Sequence, residues 1–187
     1  LAELLGRTNL RELLDPEVVA QIEAELQRLH ESRHVRDLEG VADLLRLLGP
    51  LNVDEVAERV IPESRQHVTQ WLDQLLEDRR VLLLRVAGDQ RWAAVEDAGR
   101  LREALGTALP LGIAEAHLQA GQDPLAELLS RHGRTHGPFT TGAVAERFGL
   151  GSAVAHDALS RLANDGRLTH GEFHPVASGE TEWVDPT

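Results

Sequence analysis

Cysteine, methionine and lysine are absent from these 187 residues, and aromatic side chains make up only 3% of them. Without cysteine the chain forms no disulfides and offers no thiolate ligands to a metal ion. With so few aromatics, its cores must be built mainly from leucine, valine and alanine. No apolar run is long enough to span a bilayer and no signal-peptide pattern is present, so we expect a soluble, cytoplasmic protein without a membrane partner.

The charge balance is strongly acidic. Aspartate and glutamate number 31 against 19 arginines, which gives a net charge of −12. A domain that binds duplex phosphates by itself needs a basic surface, because counterion release provides most of the affinity. The chain as a whole therefore repels DNA, and any binding must use a local arginine patch beside a more basic partner domain.

A helix-turn-helix pattern follows Gly137-Pro138-Phe139. Thr140 is placed to cap a helix by accepting a hydrogen bond from the backbone of the first turn. An apolar stripe runs along that helix to Phe148, and Gly149 ends it. The next helix is predicted over Ser152–Asp165, with two strands after it. Its inward residues are expected to be Val154, Ala158, Leu159 and Leu162. This order is typical of a winged helix-turn-helix domain.

The same pattern occurs earlier in the chain. Gly49-Pro50-Leu51 followed by Val56-Ala57-Glu58-Arg59-Val60 recurs as Gly137-Pro138-Phe139 followed by Val144-Ala145-Glu146-Arg147-Phe148, and each copy closes on a tryptophan, Trp92 or Trp183. Such a repeat indicates a tandem array of like units. We therefore predict a mainly α fold with small β-hairpin wings, made of tandem winged helix-turn-helix domains. The predicted boundaries are a helical lead-in over 1–36, a first winged helix with a linking helix over 37–105, a linker over 106–122 and a second winged helix over 123–187.

The lead-in carries its own helix signals. Asp15-Pro16 combines a capping side chain with proline at the first helical position. Four apolar residues then follow at helical spacing, which predicts one buried face that docks on the first winged helix: Val18, Ile22, Leu26 and Leu29. The chain begins on Leu1 inside a helical pattern and has no methionine, so we expect it to be a piece of a longer protein.

Nucleic-acid contacts are best placed on the first copy. Its third helix, predicted over Glu63–Arg79, and its wing present a candidate DNA-binding set: Arg65, Gln66, Gln70, Arg85 and Arg91. Two alternatives stay open, in which these arginines are ordinary solvated side chains balanced by nearby acids, or face another domain. The third helix of the second copy offers mainly His156, Asp157 and Arg161, a poor set for reading bases. The second copy is therefore expected to be a spacer or docking module.

No catalytic or metal-binding residues stand out. His132 with His136, and His170 with His174, share a spacing that suggests zinc, but without cysteine or an H-E-x-x-H arrangement surface histidines are the better interpretation. Walker, G-x-S-x-G and paired-carboxylate patterns are absent from the sequence. We expect no catalytic residue, no metal and no cofactor in this chain.

Several segments resemble one family. They are Leu4–Asp15, Gly40–Leu51, Arg91–Leu101, Arg134–Phe139 and Gly171–Pro175. Together they are similar to the C-terminal region of bacterial large helicase-related (Lhr) proteins, which are superfamily 2 ATP-dependent helicases. The resemblance implies a parent protein whose ATPase core binds ATP and Mg²⁺, translocates on single-stranded DNA and serves DNA repair. The implied partners are DNA, as single strand or RNA:DNA hybrid, and other domains of the same helicase.

The resemblance leaves the chain's own chemistry open. The expected function is nucleic-acid binding and domain scaffolding within the helicase rather than catalysis. One alternative is a part of a winged-helix DNA glycosylase, although Gln119-x-x-Gln122 has the wrong spacing for that family's glutamine motif. The other is a freestanding transcriptional regulator with two winged helices, which the acidic charge disfavours.

Overall fold

A computed structural model describes residues 15–171 and 181–186. The first part of the chain folds into a helix, a short 3-10 turn at Glu31–Arg33, three further helices and a hairpin. A second 3-10 turn, Pro62–His67, leads into the fourth helix. The bounds are α1 Pro16–Leu26, α2 Leu38–Leu48, α3 Val53–Glu58, α4 Val68–Glu77, β1 Val81–Val86 and β2 Asp89–Ala94.

Local sequence signals explain where these helices begin. Asp15 caps α1 by accepting from the backbone N–H of Glu17, with Pro16 at the first helical position. Asn52 and Glu55 form the reciprocal capping box predicted for α3. The inner faces of α2, α3 and α4 then meet in one core with Val81 and Ala94 of the hairpin. The fully buried side chains of that core include Val41, Leu44, Leu45, Val56, Leu72 and Leu75.

The hairpin of the first winged helix lies between two cores. Its turn is Ala87-Gly88, and both residues have positive φ, as a tight two-residue hairpin requires. Because strand side chains alternate between faces, Val81 enters the core of the first winged helix while every second residue from Leu82 points the other way. Leu82, Leu84 and Val86 join a second core, which also contains residues of the linking segment and of the second winged helix. This wing is thus a shared layer of the structure.

The segment between the winged helices packs against them. A 3-10 turn at Val95–Asp97 leads into α5, Ala98–Leu105, and a further turn follows at Glu115–Leu118. Gly99 of α5 lies directly under Leu118: a Cβ added at Gly99 would come within 2.3 Å of the Leu118 carbonyl carbon and oxygen. The predicted linker therefore crosses α5 in close contact, and the exact domain boundaries stay a prediction.

The second winged helix repeats the first. Its elements are α6 Pro124–Thr135, β3 Phe139–Thr140, α7 Thr141–Phe148, α8 Ser152–Asn164, β4 Thr169–Gly171 and β5 Glu182–Val184. Thr140 caps α7 by accepting from the Ala143 N–H at 3.1 Å, as predicted. Trp183 pairs with Phe139 just as Trp92 pairs with Leu51 in the first copy. The predicted fold class, mainly α with small hairpins in tandem winged helices, is confirmed.

One predicted buried face is wrong, and so is one residue of another, in which Ala158, Leu159 and Leu162 are buried as predicted. The apolar face of α1 is exposed, by 37 to 52% at Val18, Ile22, Leu26 and Leu29. Helical spacing identified the apolar face but could not show what covers it, and no described residue does. In α8, Val154 is half exposed and Ala155 is buried in its place. The two strands predicted after α8 fall partly outside the described residues, over 172–180.

Candidate nucleic-acid interface

The third helix of the first winged helix presents a polar face to solvent. Val68, Leu72 and Leu75 anchor α4 in the core, so the opposite side of α4 and of the preceding 3-10 turn is left exposed. Arg65, Gln66 and Gln70 all lie on this exposed side. The Arg65 Nε donates to the Val60 carbonyl at 3.1 Å, which leaves its two outer nitrogens free of protein partners among the described residues.

Acidic side chains share that face. Asp73, Glu77 and Asp78 of the same helical segment are exposed, and so is Glu63 beside Arg65. These carboxylates oppose the approach of phosphates, so the face has no strong positive field. Nothing in the described geometry selects between DNA contact and plain solvation for Arg65, Gln66 and Gln70, and their assignment stays a prediction.

The wing of the first copy is not free at its tip. Gly149, at the left-handed end of α7, lies against the turn: a Cβ at Gly149 would come within 3.0 Å of the Ala87 Cα. Arg85, near the tip, is exposed and donates to the Gly88 carbonyl at 3.1 Å. The wing therefore offers Arg85 to solvent while its other face is covered by the second winged helix.

Arg91 is buried at this junction. Only 5% of the residue is exposed, its Nε donates to Asp89 at 3.0 Å and its Nη1 donates to the Arg147 carbonyl at 2.6 Å. Burial, with the nearby Arg147 charge, lowers the pKa of Arg91. The hydrogen bond from Asn52, followed by that from Arg91, lowers the pKa of Asp89 despite some burial. These surroundings match the alternative in which an arginine of the first copy faces another domain instead of DNA.

Arg147 is the centre of the contact between the two winged helices. Its guanidinium donates to both carboxylate oxygens of Glu55, at 2.6 and 3.2 Å, and to the Pro50 carbonyl at 2.9 Å. Glu55 at the same time accepts from the Asn52 backbone N–H in the capping box at 2.9 Å. The start of α3 and the end of α7 are thereby joined by a partly buried ionic network.

A second, fully buried ion pair supports the same contact. Arg131 of α6 donates to Asp97 at 2.8 Å, with both side chains less than 10% exposed, and Arg100 approaches the other Asp97 oxygen at 3.5 Å. A Cβ at Gly49 would lie 2.8 Å from the Arg131 Nη2. The Gly-Pro turn of the first copy therefore has room for Arg131 only because residue 49 is glycine.

These docking residues were not predicted from the sequence, although the repeat indicates that two of the arginines are equivalent. Arg147 and Arg59 occupy the same place in the two copies of the repeat. Arg59 donates to the Gln27 carbonyl at 2.7 Å and to the Gln27 side chain at 3.1 Å, so it holds the end of α1. In each copy, the arginine at the end of the second helix ties that winged helix to the segment before it.

The third helix of the second winged helix is engaged within the chain. Arg161 of α8 donates to Asp123 at 3.1 Å, and it also pairs with Asp157 one turn earlier. The hydrogen bond from Arg161 lowers the pKa of Asp123. The positive charge of Arg161 is therefore neutralised by these two carboxylates.

The histidine pair of α6 is not on the surface. His132 is only 8% exposed, and its ring stacks on that of His136 with a centroid distance of 3.6 Å. Phe139 and Phe148 meet the His132 ring edge to face. Burial lowers the pKa of His132 well below its ordinary value and that of His136 to about 4. The prediction of surface histidines is thus wrong for this pair, and His174 lies outside the described residues.

Metal and membrane features give no further site. Within residues 15–171 and 181–186, His, Asp and Glu side chains nowhere gather in a group of three suited to a metal ion. None of the helices in that part of the chain combines the length and apolar character that crossing a bilayer requires.

Comparison with known proteins gives the family. Residues 12–120 match the family described as "Large helicase-related protein, winged-helix domain". The chain is 52% identical over 185 residues, or 99% of its length, to the "Lhr helicase/ probable uracil glycosylase" of Mycolicibacterium smegmatis. It is 40% identical over 166 residues, or 89% of its length, to the "Lhr helicase/uracil glycosylase" of Escherichia coli strain K12.

The matches cover little of those relatives. The chain spans 12% of the first protein and 11% of the second. The family match ends at residue 120, so it covers the first winged helix and part of the following segment but not the second winged helix.

Proposed function

Because the chain belongs to the winged-helix domain family of large helicase-related proteins, we propose that it is a scaffolding and nucleic-acid-binding module of a larger ATP-dependent DNA-repair helicase. ATP and Mg²⁺ would act in the parent's motor core, and the nucleic acid would be single-stranded DNA or an RNA:DNA hybrid. Two relatives are named as helicases, which supports the proposal. We also propose a cytoplasmic location for the parent.

The observation that carries the scaffolding role is the shared wing. Leu82, Leu84 and Val86 of the first winged helix are buried in one core together with residues of the linking helix and of the second winged helix. Each buried leucine or valine side chain contributes about 1.5–3 kcal/mol relative to an exposed one. A wing packed in this way fixes the spacing of two winged helices, which suits a rigid spacer between other domains of the parent.

The nucleic-acid role would use the exposed face of the first winged helix. Arg65, Gln66, Gln70 and Arg85 are all exposed there, whereas Arg91 would serve docking. Because acidic side chains share this face, it should bind nucleic acid only weakly and without sequence preference, with Kd roughly 10⁻⁴ to 10⁻⁶ M. We expect the fragment alone to bind in that range, with affinity falling steeply as salt rises.

The test is a pair of neutralised variants with the same change of charge. Arg65→Gln with Arg85→Gln should lower the slope of log K against log salt by about two, since each phosphate contact on a duplex contributes about 0.9. The control is Arg36→Gln with Arg79→Gln, whose side chains make no hydrogen bond or ion pair with described residues. Binding would be measured by fluorescence anisotropy of a labelled duplex, and unwinding with the parent helicase. Equal slopes in the two variants would refute the proposed contact face.

A glycosylase role is assigned elsewhere in the parent. Both relatives carry uracil glycosylase in their names. Of the two buried carboxylates in the described residues, Asp97 and Glu182, Asp97 is paired with Arg131 and Arg100. A paired carboxylate is poorly placed to activate water or stabilise a sugar cation. We therefore propose that any such activity depends on residues outside this chain.

A further inference from the structure

An open cleft lies where α1 meets α2 and α6. Its volume is about 350 Å³, and its walls combine arginines and aliphatic side chains with one carboxylate. The lining includes Ile22, Leu26, Arg28, Arg33, Arg134 and the carboxylate of Glu25. A neighbouring hollow of about 520 Å³ shares Arg28, Arg46 and Leu47 with it, so the two form one continuous groove along α2. We call the first cavity, with these lining residues, the arginine cleft.

The arginines of this cleft differ from most others in the chain. Nine of the arginines in the described residues form ion pairs with carboxylates, and Arg59, Arg65 and Arg85 donate to backbone carbonyls. The side chains left without a hydrogen bond or ion pair to any described residue are Arg28, Arg33, Arg36, Arg79 and Arg134. Three of these five line the arginine cleft.

This concentration of free positive charge is unexpected in so acidic a chain. With 31 acids against 19 bases, most arginines can find a carboxylate. Of the acids in these walls, Asp43 of the neighbouring hollow pairs with Arg46 at 2.7 Å. Glu25 accepts from the neutral Gln21 at 3.3 Å and keeps its charge, so one unneutralised carboxylate lies beside three arginines. Arg28, Arg33 and Arg134 line one cavity with donors that no described residue uses.

We propose that the arginine cleft binds the phosphate backbone of single-stranded nucleic acid. The partner class rests on the proposed function, while the site is distinct from the α4 face. A planar guanidinium presents paired donors that match phosphate oxygens, and its charge persists at every physiological pH. A flexible single strand can bend to follow a groove between helices and bring its phosphates to separate guanidinium groups, whereas a duplex is stiff.

The composition of the walls predicts how the strand is held. Among the described residues, no aromatic side chain lines the cleft, so these walls provide no stacking on the bases, the usual source of salt-resistant affinity for single strands. Ile22 and Leu26 offer only aliphatic surface to the bases. Binding should therefore depend on phosphates, ignore base sequence and weaken strongly with salt. It supplies the local arginine patch that a chain of net charge −12 needs in order to hold nucleic acid.

The experiment titrates the 187-residue chain with a fluorescein-labelled 20-nucleotide oligo-dT over a range of salt concentrations. The cleft variant is Arg28→Gln, Arg33→Gln and Arg134→Gln, and the control is Arg36→Gln with Arg79→Gln. Since each phosphate contact on a single strand contributes about 0.7 to the salt slope, the cleft variant should lose about two. The control should bind like the wild type. The α4-face variant Arg65→Gln with Arg85→Gln is run in parallel.

The outcomes separate the two sites. A slope reduced in the cleft variant and unchanged in the α4-face variant supports the cleft and counts against the α4 face. The reverse result overturns the cleft and leaves the proposed function standing. If the triple variant unfolds, judged by circular dichroism, Arg134→Gln alone is used, and an unchanged slope then overturns the proposal. Poly-L-glutamate that binds the cleft while oligo-dT does not would assign the cleft to an acidic protein segment, and the proposal would fail.

Discussion

The contact between Arg147 and Glu55 gives the sharpest prediction about how the two winged helices are joined. Arg147→Ala removes three hydrogen bonds to the other winged helix, at 2.6, 2.9 and 3.2 Å. It also leaves Glu55, whose side chain is only 23% exposed, without its charged partner. A hydrogen bond to a charged group contributes about 1.5–3 kcal/mol, but the three bonds share one side chain and are partly screened. We expect the free energy of unfolding to fall by about 2 kcal/mol.

A double-mutant cycle with Glu55→Gln isolates the pair itself. Urea unfolding of the wild type, both single variants and the double variant gives the coupling free energy, which we expect to be about 1–2 kcal/mol. The matched control is Arg80 with Glu39, an equally bidentate pair at 2.6 and 2.7 Å that lies within the first winged helix. Glu39 is 65% exposed, so solvent screens it and its coupling should be smaller. Equal coupling in the two pairs, or none at Arg147, would refute the reasoning.

Two further predictions concern packing and pH. Gly99→Ala places a Cβ within 2.3 Å of the Leu118 backbone, and this overpacking should cost about 1–3 kcal/mol in the free energy of unfolding. The control is Gly151→Ala, where φ is negative and an added Cβ meets no atom within 4 Å. The pKa of His136 falls from 6.5 to about 4 on folding, so its stabilising effect is complete above pH 6.5 and is lost as pH falls toward 4. Since each tenfold change in proton affinity is worth about 1.4 kcal/mol, the loss is on the order of 3 kcal/mol. Urea unfolding from pH 7 to 4 measures it, and His136→Gln should make the profile shallower without flattening it, because the buried His132 also has a lowered pKa. An unchanged slope in that variant would contradict the burial.

The fold was predictable because its signals are local or repeated. The capping box of Asn52 and Glu55, the cap at Thr140 and the Asp-Pro helix starts are each set by a few neighbouring residues. The repeat then placed Trp92 and Trp183 at equivalent positions, and the pairing of each with the residue after a Gly-Pro turn follows from that equivalence.

Docking was not predictable, because a pattern shows which face is apolar and not what covers it. Alternation along β1 indicates two faces, but only the folded chain shows that Leu82 and Leu84 serve the other winged helix. The predictions that the apolar face of α1 and Val154 are buried were wrong for the same reason. Among the candidate DNA-binding residues, the sequence pattern did not separate Arg91 from Arg85. In the structure Arg91 is buried at the junction and Arg85 is exposed.

We expect the two winged helices to unfold as one unit because they share the wing of the first. Indole N–H signals in the NMR spectrum of the wild-type chain report on both, since Trp92 lies in the first winged helix and Trp183 in the second. Followed through one urea titration of the same sample, the two signals should disappear at the same midpoint. Arg147→Ala should lower both midpoints together. Two separate midpoints in the wild type, or a shift confined to Trp183 in the variant, would contradict the account.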